Sequence, residues 1–199
     1  MIRDKKSQWH RVKLLALIAV FLSPFVGGWL ALYVFELRPE SKNYGSLVQP
    51  PLKVKWPVLN SLSGEQYSDG FGKKWTFLMF TRATCTEQCR SNLYYMRQIR
   101  TLLGRNTRRL QNVLISAVPI GAELKALLLD YPSLVVIDNF DNEALYSQFQ
   151  AADTEGVGST PRLYLVDPDQ NYMMHYPAQS DQNRILKDIR KLMKLSQIG

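Results

Sequence analysis

Cysteine and histidine are scarce in this sequence, and their scarcity excludes several kinds of site. The 199 residues contain two cysteines and two histidines. Two thiols cannot build the four-thiolate zinc site of a finger or ribbon, nor the disulfide framework of a small secreted domain. The sequence also lacks a Walker loop, a Rossmann fingerprint and a Ser-His-Asp arrangement. Nothing in these patterns therefore supports nucleotide binding or serine-hydrolase chemistry.

Acidic residues are too few to balance the basic ones, but the imbalance is concentrated at one end. The 25 Lys plus Arg against 17 Asp plus Glu give a net charge of +8. Residues 1–13 supply five basic residues and one acidic residue, which leaves 20 against 16 for residues 36–199. Half of the excess belongs to this short basic tail, so we predict no nucleic-acid partner.

An uncharged run of 22 residues, 14–35, follows the tail. A helix of this length spans the roughly 30 Å core of a bilayer. The run is longer than the apolar core of a signal peptide and lacks its cleavage pattern, so we favour an uncleaved transmembrane helix over a signal peptide. The basic tail predicts a cytoplasmic N-terminus, an anchor in a bacterial inner membrane and a periplasmic C-terminal part.

The remaining sequence divides into a linker and one domain. Residues 36–55 contain three prolines and little periodicity, which predicts a linker. Over residues 56–199, apolar strand patterns such as 75–81 alternate with helical patterns, and a final helix is predicted over 181–195. This alternation is typical of a mostly parallel sheet flanked by helices on two faces.

The two cysteines, Cys85 and Cys89, directly follow the predicted strand 75–81. Ligands bind at this end of open α/β sheets, and a helix N-terminus with Arg82 and Arg90 nearby favours a thiolate. On an ideal helix the two Cα atoms would be about 6 Å apart, which suits a disulfide or a shared soft ion such as Cu(I). The alternative is a purely structural disulfide, but so small a loop restrains the unfolded chain little. We therefore favour a functional pair.

Several motifs occur in a recognisable order around this pair. They are Gly64-Glu65, Lys74-Trp75, Phe80-Thr81, Cys85-x-x-x-Cys89 and Tyr164-Leu165-Val166-Asp167-Pro168-Asp169. Together with the N-terminal helix, they resemble the Sco/SenC family of membrane-anchored factors for assembly of the cytochrome c oxidase copper centre. The resemblance implies a thioredoxin-like α/β fold, with a central mixed sheet flanked by helices. It also implies an oxidase subunit or another assembly factor as the partner, and copper as a candidate ligand.

The sequence departs from that family at the implied copper site. The family usually has Pro and Asp beside its cysteines, where this chain has residues 86–88, and its third copper ligand is a histidine where this chain has Ser159. His175 is the one candidate substitute. We expect it opposite about Arg162, on the same strand face as Met173, and favour a surface or structural role for it. No cofactor is therefore required, and copper binding would rest on Cys85 and Cys89.

Pro161 is the third candidate residue of the site. Residues 156–161 resemble the segment before the cis-proline of thioredoxin and TlpA-type reductases. The resemblance implies a cis Thr160-Pro161 bond beside the cysteines, with backbone groups that hold an extended peptide. The alternative is an ordinary trans proline at the start of an edge strand.

Two further clusters are better explained without a ligand. The first is basic and comprises Arg97, Arg100, Arg105, Arg108 and Arg109; we interpret it as a solvated face. The second is acidic and comprises Asp138, Asp141 and Glu143; we interpret these as turn and helix-cap residues rather than a metal site.

Three functions follow from these features. In the first, a thiol–disulfide oxidoreductase assists oxidase assembly: Cys85 attacks a disulfide, Cys89 resolves the mixed disulfide and Pro161 holds the partner. In the second, the pair carries Cu(I) with a third ligand from Met173, His175 or the partner. In the third, the domain is a non-catalytic scaffold that docks on an oxidase subunit or assembly factor.

Overall fold

The computed structural model describes residues 3–34, 43–81, 85–138, 140–151 and 162–196. The chain divides into two compact units, Met1–Lys42 and Asn43–Gly199. The first unit contains one helix, α1, at Arg3–Tyr33. Its segment Trp9–Leu30 is long and apolar enough to cross a membrane, and none of it is buried. By length and composition, α1 fits the predicted transmembrane helix.

The second unit is built on a six-stranded mixed sheet in the order β1-β8-β7-β4-β5-β6. β4, β5 and β6 are parallel, whereas β7, β8 and β1 each pair with their neighbours in antiparallel fashion. A two-stranded ribbon, β2-β3, forms a short antiparallel hairpin. The strands are β1 Ser46–Lys53, β2 Leu59–Asn60, β3 Gln66–Tyr67, β4 Trp75–Thr81, β5 Leu110–Ser116, β6 Leu134–Ile137, β7 Leu163–Val166 and β8 Asn171–Tyr176.

Helices cover both faces of this sheet. Apolar residues of α2, α3 and α5 pack on one face in a first core cluster, which includes Leu93, Leu124 and Ile189. Residues of α4 pack on the other face in a second cluster, which is rich in aromatic side chains. The helices are α2 Glu87–Leu102, α3 Ala122–Leu128, α4 Glu143–Gln150 and α5 Gln182–Leu195, with a 3₁₀ helix at Gly104–Arg109. The predicted mixed sheet flanked by helices is confirmed.

The predicted linker 36–55 is wrong over its second half. Residues Ser46–Lys53 form β1, which pairs with β8 at the edge of the sheet. The two prolines inside β1 explain the error, since they break the alternating pattern of a strand but are tolerated at a sheet edge. The second unit accordingly starts at Asn43, not at residue 56.

The start of the second unit is held by a buried carboxylate on α5. Asp188, which is 4% exposed, accepts hydrogen bonds from the backbone N–H groups of Tyr44 (2.7 Å) and Gly45 (2.9 Å). A Cβ atom at Gly45 would lie 2.6 Å from both Met174 and Tyr176, so only glycine allows this close approach. These contacts fix the chain beside α5 immediately before β1 begins.

Candidate functional site

The cysteine pair lies where β4 ends and α2 begins. All seven residues of β4 are buried, and the strand ends at Thr81. The backbone N–H of Ala117, just after β5, donates to the carbonyl of Thr81 at 3.1 Å, so the two parallel strands end at the same edge of the sheet. Cys85 and Cys89 flank the start of α2 at this edge, which is the usual ligand-binding end of an open α/β sheet.

Cys85 and Cys89 are joined in a disulfide with a Cα–Cα distance of 5.1 Å. This distance is shorter than the ideal-helix value of about 6 Å, because Cys85 lies before the first helical residue. The two cysteines differ in burial: Cys89 is fully buried, whereas Cys85 is only partly buried. An incoming thiolate therefore reaches Cys85 more readily than Cys89.

The N-terminus of α2 supplies the electrostatics of the pair. Thr86 is the N-cap residue, and its hydroxyl accepts a hydrogen bond from the backbone N–H of Cys89 at 3.3 Å. The positive end of the helix dipole stabilises a thiolate at this position. The guanidinium of Arg90 forms an ion pair with Glu123, so its charge is compensated locally. Arg82 lies outside the described residues.

Pro161 also lies outside the described residues, so the predicted cis bond stays a prediction. The strand that follows it, β7, is described and runs antiparallel to β4 with Tyr164 opposite Leu78. Continuing this register places Arg162 opposite Phe80, at the same edge of the sheet as the cysteines. The chain thus joins β7 at the cysteine end of the sheet.

The structure does not bring His175 to the cysteines. His175 pairs with Tyr164, not with Arg162, and its strand β8 is two places from β4. Two strand spacings amount to roughly 10 Å. The Nδ1 atom of His175 lies 2.9 Å from the hydroxyl of Tyr172, which belongs to the second core cluster. Cys89 belongs to the first core cluster, on the opposite face of the sheet.

Met173 and His175 do not share a face, contrary to the sequence prediction. Met173 packs against the first core cluster and lines a 260 Å³ cleft with Trp75 and Leu192. The physical reason is a shift in the pairing of β7 with β8, where the register changes between Leu165 and Val166. Such an irregularity reverses which alternate side chains point to each face.

The donor set for a metal is incomplete within the described residues. Among them, no group of three His, Cys, Asp or Glu side chains is placed to hold a metal ion. The carboxylate of Asp138 accepts from the backbone N–H of Ile120 at 2.7 Å, as expected for a turn residue. The N-cap of α4 is Asn142, not Asp141 or Glu143. A resident three-ligand copper site therefore does not fit the described residues.

One other sequence interpretation changes in detail. In the basic cluster, Arg97, Arg105 and Arg108 are exposed as predicted. Arg100 and Arg109 instead make structural hydrogen bonds to backbone carbonyls, Arg100 to Leu110 and Arg109 to two residues near the end of α5. The Asp167-Pro168-Asp169 motif forms the β7-β8 turn, where both oxygens of Asp167 accept from Asn171.

Sequence reasoning missed two residues that shape the site and its support. Thr86 has a readable signal, since a threonine before Glu87 and a helical pattern is a typical N-cap. Asp188 has no such signal: an acidic residue on a charged helix reads as exposed. Only the fold shows that its carboxylate is buried and bonded to the backbone of Tyr44 and Gly45.

The mixed sheet flanked by helices is thioredoxin-like, and the Cys85–Cys89 disulfide lies where β4 leads into α2. The chain is therefore a thioredoxin-like protein with a cysteine pair at the carboxyl ends of its parallel strands. The chain belongs to the family described as transmembrane-like, thioredoxin-like, C-terminal domain, which matches residues 75–196. No curated protein matches the sequence.

Solved structures confirm the fold. Copper-bound yeast Sco1 is 18% identical with a TM-score of 0.59, and the match covers 75% of this chain and 96% of Sco1. BsSco, described as a Sco-family cytochrome c oxidase assembly protein with a disulfide switch, is 14% identical with a TM-score of 0.57, covering 74% and 96%. A thiol:disulfide interchange protein from Chlorobium tepidum is 16% identical with a TM-score of 0.56, covering 72% and 97%.

Proposed function

We propose that this protein is a membrane-anchored thiol–disulfide exchange factor in which Cys85 and Cys89 are the reacting pair. The observation that carries the proposal is the disulfide at the start of α2, with Cys85 partly exposed and Cys89 fully buried. This asymmetry suits a two-step exchange, because one cysteine can meet a partner while the other stays inside the fold. The solved thiol:disulfide interchange protein of similar fold supports the same chemistry.

The order of the exchange steps follows from the positions of Cys85 and Cys89 in the fold. In the reduced protein, the Cys85 thiolate attacks one sulfur of a partner disulfide, and the other partner sulfur leaves as a thiolate. The Cys89 thiolate then attacks the Cys85 sulfur and releases the second partner thiolate. The pair ends as the Cys85–Cys89 disulfide and the partner ends as a dithiol. The reverse sequence oxidises the partner, and Pro161 is proposed to hold the partner's extended chain.

Trapping of the mixed disulfide tests this order of events. Cys89→Ser should retain a covalent adduct with a disulfide-containing peptide, because the resolving thiol is absent. Cys85→Ser is the matched control and should react far more slowly, since Cys89 is fully buried. Mass spectrometry of the two variants after alkylation gives the adduct yield. Equal adducts in both variants, or none in either, would refute the assignment.

For biological context, we place this exchange in the assembly of the cytochrome c oxidase copper centre. The resemblance to Sco proteins and the described role of BsSco support this context. The partner is an oxidase subunit or another assembly factor. The helix α1 anchors the protein in a bacterial inner membrane with its N-terminus cytoplasmic and the second unit periplasmic, which its basic tail supports.

Complementation separates exchange from scaffolding. In a deletion strain, the double variant Cys85→Ser/Cys89→Ser should fail to restore oxidase activity, whereas wild-type protein restores it. Restoration by the double variant at wild-type protein levels would favour the non-catalytic scaffold. A loss of oxidase activity that added copper corrects in the double variant would instead favour a role in copper delivery.

Cu(I) carriage is the second candidate. It is favoured by two cysteine sulfurs that lie side by side and by the similarity to copper-bound yeast Sco1. Reduction would free both thiolates, and two thiolates can hold Cu(I) as cargo. His175 lies on the opposite face of the sheet, and Met173 lies beside Trp75 at the other end of β4. The partner protein would therefore supply any third ligand. Anaerobic titration of the reduced protein against a Cu(I) chelator tests this, with Cys85→Ser as the control. No stoichiometric uptake would exclude the candidate.

A further inference from the structure

One face of α5 carries a dense row of positive charge. With about 100° of rotation per residue, its five cations cover about 120° of the helix circumference and about 15 Å of its length. All five are exposed, and the opposite side of the helix is buried against the first core cluster. We name this set the α5 cationic face: Arg184, Lys187, Arg190, Lys191 and Lys194.

No carboxylate compensates this face within the part of the chain that the structure describes. The single acidic residue inside α5, Asp188, is buried and bonded to the backbone of Tyr44 and Gly45. The contacts that the cations do make are with neutral groups. Arg190 donates to the carbonyl of Leu102 at 2.6 Å, and Arg184 lies 4.1 Å from the ring centre of Tyr44. The five charges therefore remain available to an anionic partner.

The positive surface extends beyond α5. Arg109 donates to the carbonyls of Met193 and Ser196, which ties the 3₁₀ helix to the C-terminal end of α5. Arg105 and Arg108, on the same 3₁₀ helix, are exposed. Together with the five cations of α5, these two make seven exposed cations on two neighbouring elements.

The chain joins the second unit directly beside this face. The side chain of Asn43 accepts from Lys191 at 3.1 Å, and the hydroxyl of Tyr44 accepts from the backbone N–H of Asp181 at 2.9 Å. Only eight residues, 35–42, separate these contacts from Val34, which directly follows α1. A fully extended chain of that length spans roughly 30 Å at most. A membrane that holds α1 would therefore lie within reach of α5.

We infer that the α5 cationic face binds the anionic phospholipid headgroups of the membrane that holds α1. The inference rests on the anchoring part of the proposed function and is independent of the thiol chemistry. Charge complementarity carries it: clusters of Lys and Arg next to a membrane segment are attracted to anionic lipid surfaces, and salt weakens the attraction. The contact would hold the second unit against the headgroups instead of leaving it at the end of a free tether.

Lysine acylation of the full chain in lipid nanodiscs tests the contact. Nanodiscs of phosphatidylcholine alone are compared with nanodiscs containing phosphatidylglycerol, and mass spectrometry reads the acylation rate of each lysine. In the anionic discs we expect Lys187, Lys191 and Lys194 to react on the order of fivefold more slowly, and high salt to restore the rate. Lys55, in the loop after β1, and Lys125, on α3, are exposed internal references that should not change.

Charge removal provides the matched variants. Lys187→Gln/Lys191→Gln should weaken the protection of Lys194, whereas Lys55→Gln/Lys125→Gln should leave it intact. Equal rates in both disc types, from protein that resists alkaline carbonate extraction, would overturn the inference while the anchor stands. Protein that carbonate extracts would refute the anchor and the inference together. Equal protection by inorganic phosphate in phosphatidylcholine discs would show a free-anion site and also overturn it.

Discussion

Asp188→Ala should destabilise the second unit more than any other single change near its start. The carboxylate accepts two hydrogen bonds, at 2.7 and 2.9 Å, from backbone N–H groups that have no other acceptor among the contacts described. Hydrogen bonds to a charged group contribute about 1.5–3 kcal/mol each, and removal of the acceptor leaves the donors buried. The cost of burying the carboxylate offsets part of this gain. We therefore expect a net loss of about 3 kcal/mol.

Urea unfolding of the full chain in detergent, followed by tryptophan fluorescence, measures this loss. With an m value of about 2 kcal/mol/M, the expected loss lowers the midpoint by about 1.5 M. Trp75 reports the transition because it is 3% exposed in the folded unit. Lys187→Ala, one position away and exposed, should move the midpoint by less than about 0.3 M. Asp188→Asn keeps one oxygen acceptor and should fall between the two.

A midpoint for Asp188→Ala within about 0.3 M of wild type, with an unchanged m value, would refute the reasoning. It would mean that the carboxylate does not hold Tyr44 and Gly45 in the folded protein. An m value that falls sharply would instead show that the variant no longer unfolds in a single transition, and the midpoint would then not measure the loss.

Three further predictions concern the effect of single-residue substitutions on stability. Burial, followed by the charge of the nearby Asp188, raises the pKa of Tyr176 well above its usual value. The folded state therefore keeps its proton while the unfolded chain ionises near pH 10, so stability is lost as pH rises above about 10. Thermal scans from pH 7 to 11 should show that Tyr176→Phe reduces this loss, whereas the exposed Tyr94→Phe does not. Gly45→Ala should cost about 1–3 kcal/mol in urea unfolding, because its Cβ would meet buried side chains. Thr86→Ala should cost about 1 kcal/mol by the same measurement and Thr86→Ser much less, since the serine hydroxyl can still cap α2; equal losses would contradict the capping role.

The local elements were readable from the sequence because their signals are local. The apolar run 75–81 matches β4 residue for residue, since a strand buried on both faces needs no alternation. The start of α5 was also predictable, because the side chain of Asp181 accepts from the backbone N–H groups of Asn183 and Arg184 in a normal N-cap. Strand–loop–helix order was enough to place Cys85 and Cys89 at the ligand-binding edge.

Long-range pairing was not readable. The segment Ser46–Lys53 becomes a strand only because β8, more than a hundred residues later, offers it an edge. The side of the sheet on which His175 lies depends on one register shift between Leu165 and Val166, and no local pattern signals that shift. The sequence could therefore name the candidate ligand without showing that its hydrogen-bond partner, Tyr172, lies on the face away from the cysteines.

Within the described residues, both margins of the six-stranded sheet are partly blocked to an additional strand. At one margin, Pro50 and Pro51 remove two N–H donors from the middle of β1. At the other, Ser61 bridges to Ile137 and the N–H of Leu62 donates to the carbonyl of Val136, so the β2-β3 ribbon occupies the outer side of β6. Two copies of this unit are thus less able to pair edge to edge. For the same reason, the two margins offer a partner chain few free backbone groups for β-augmentation.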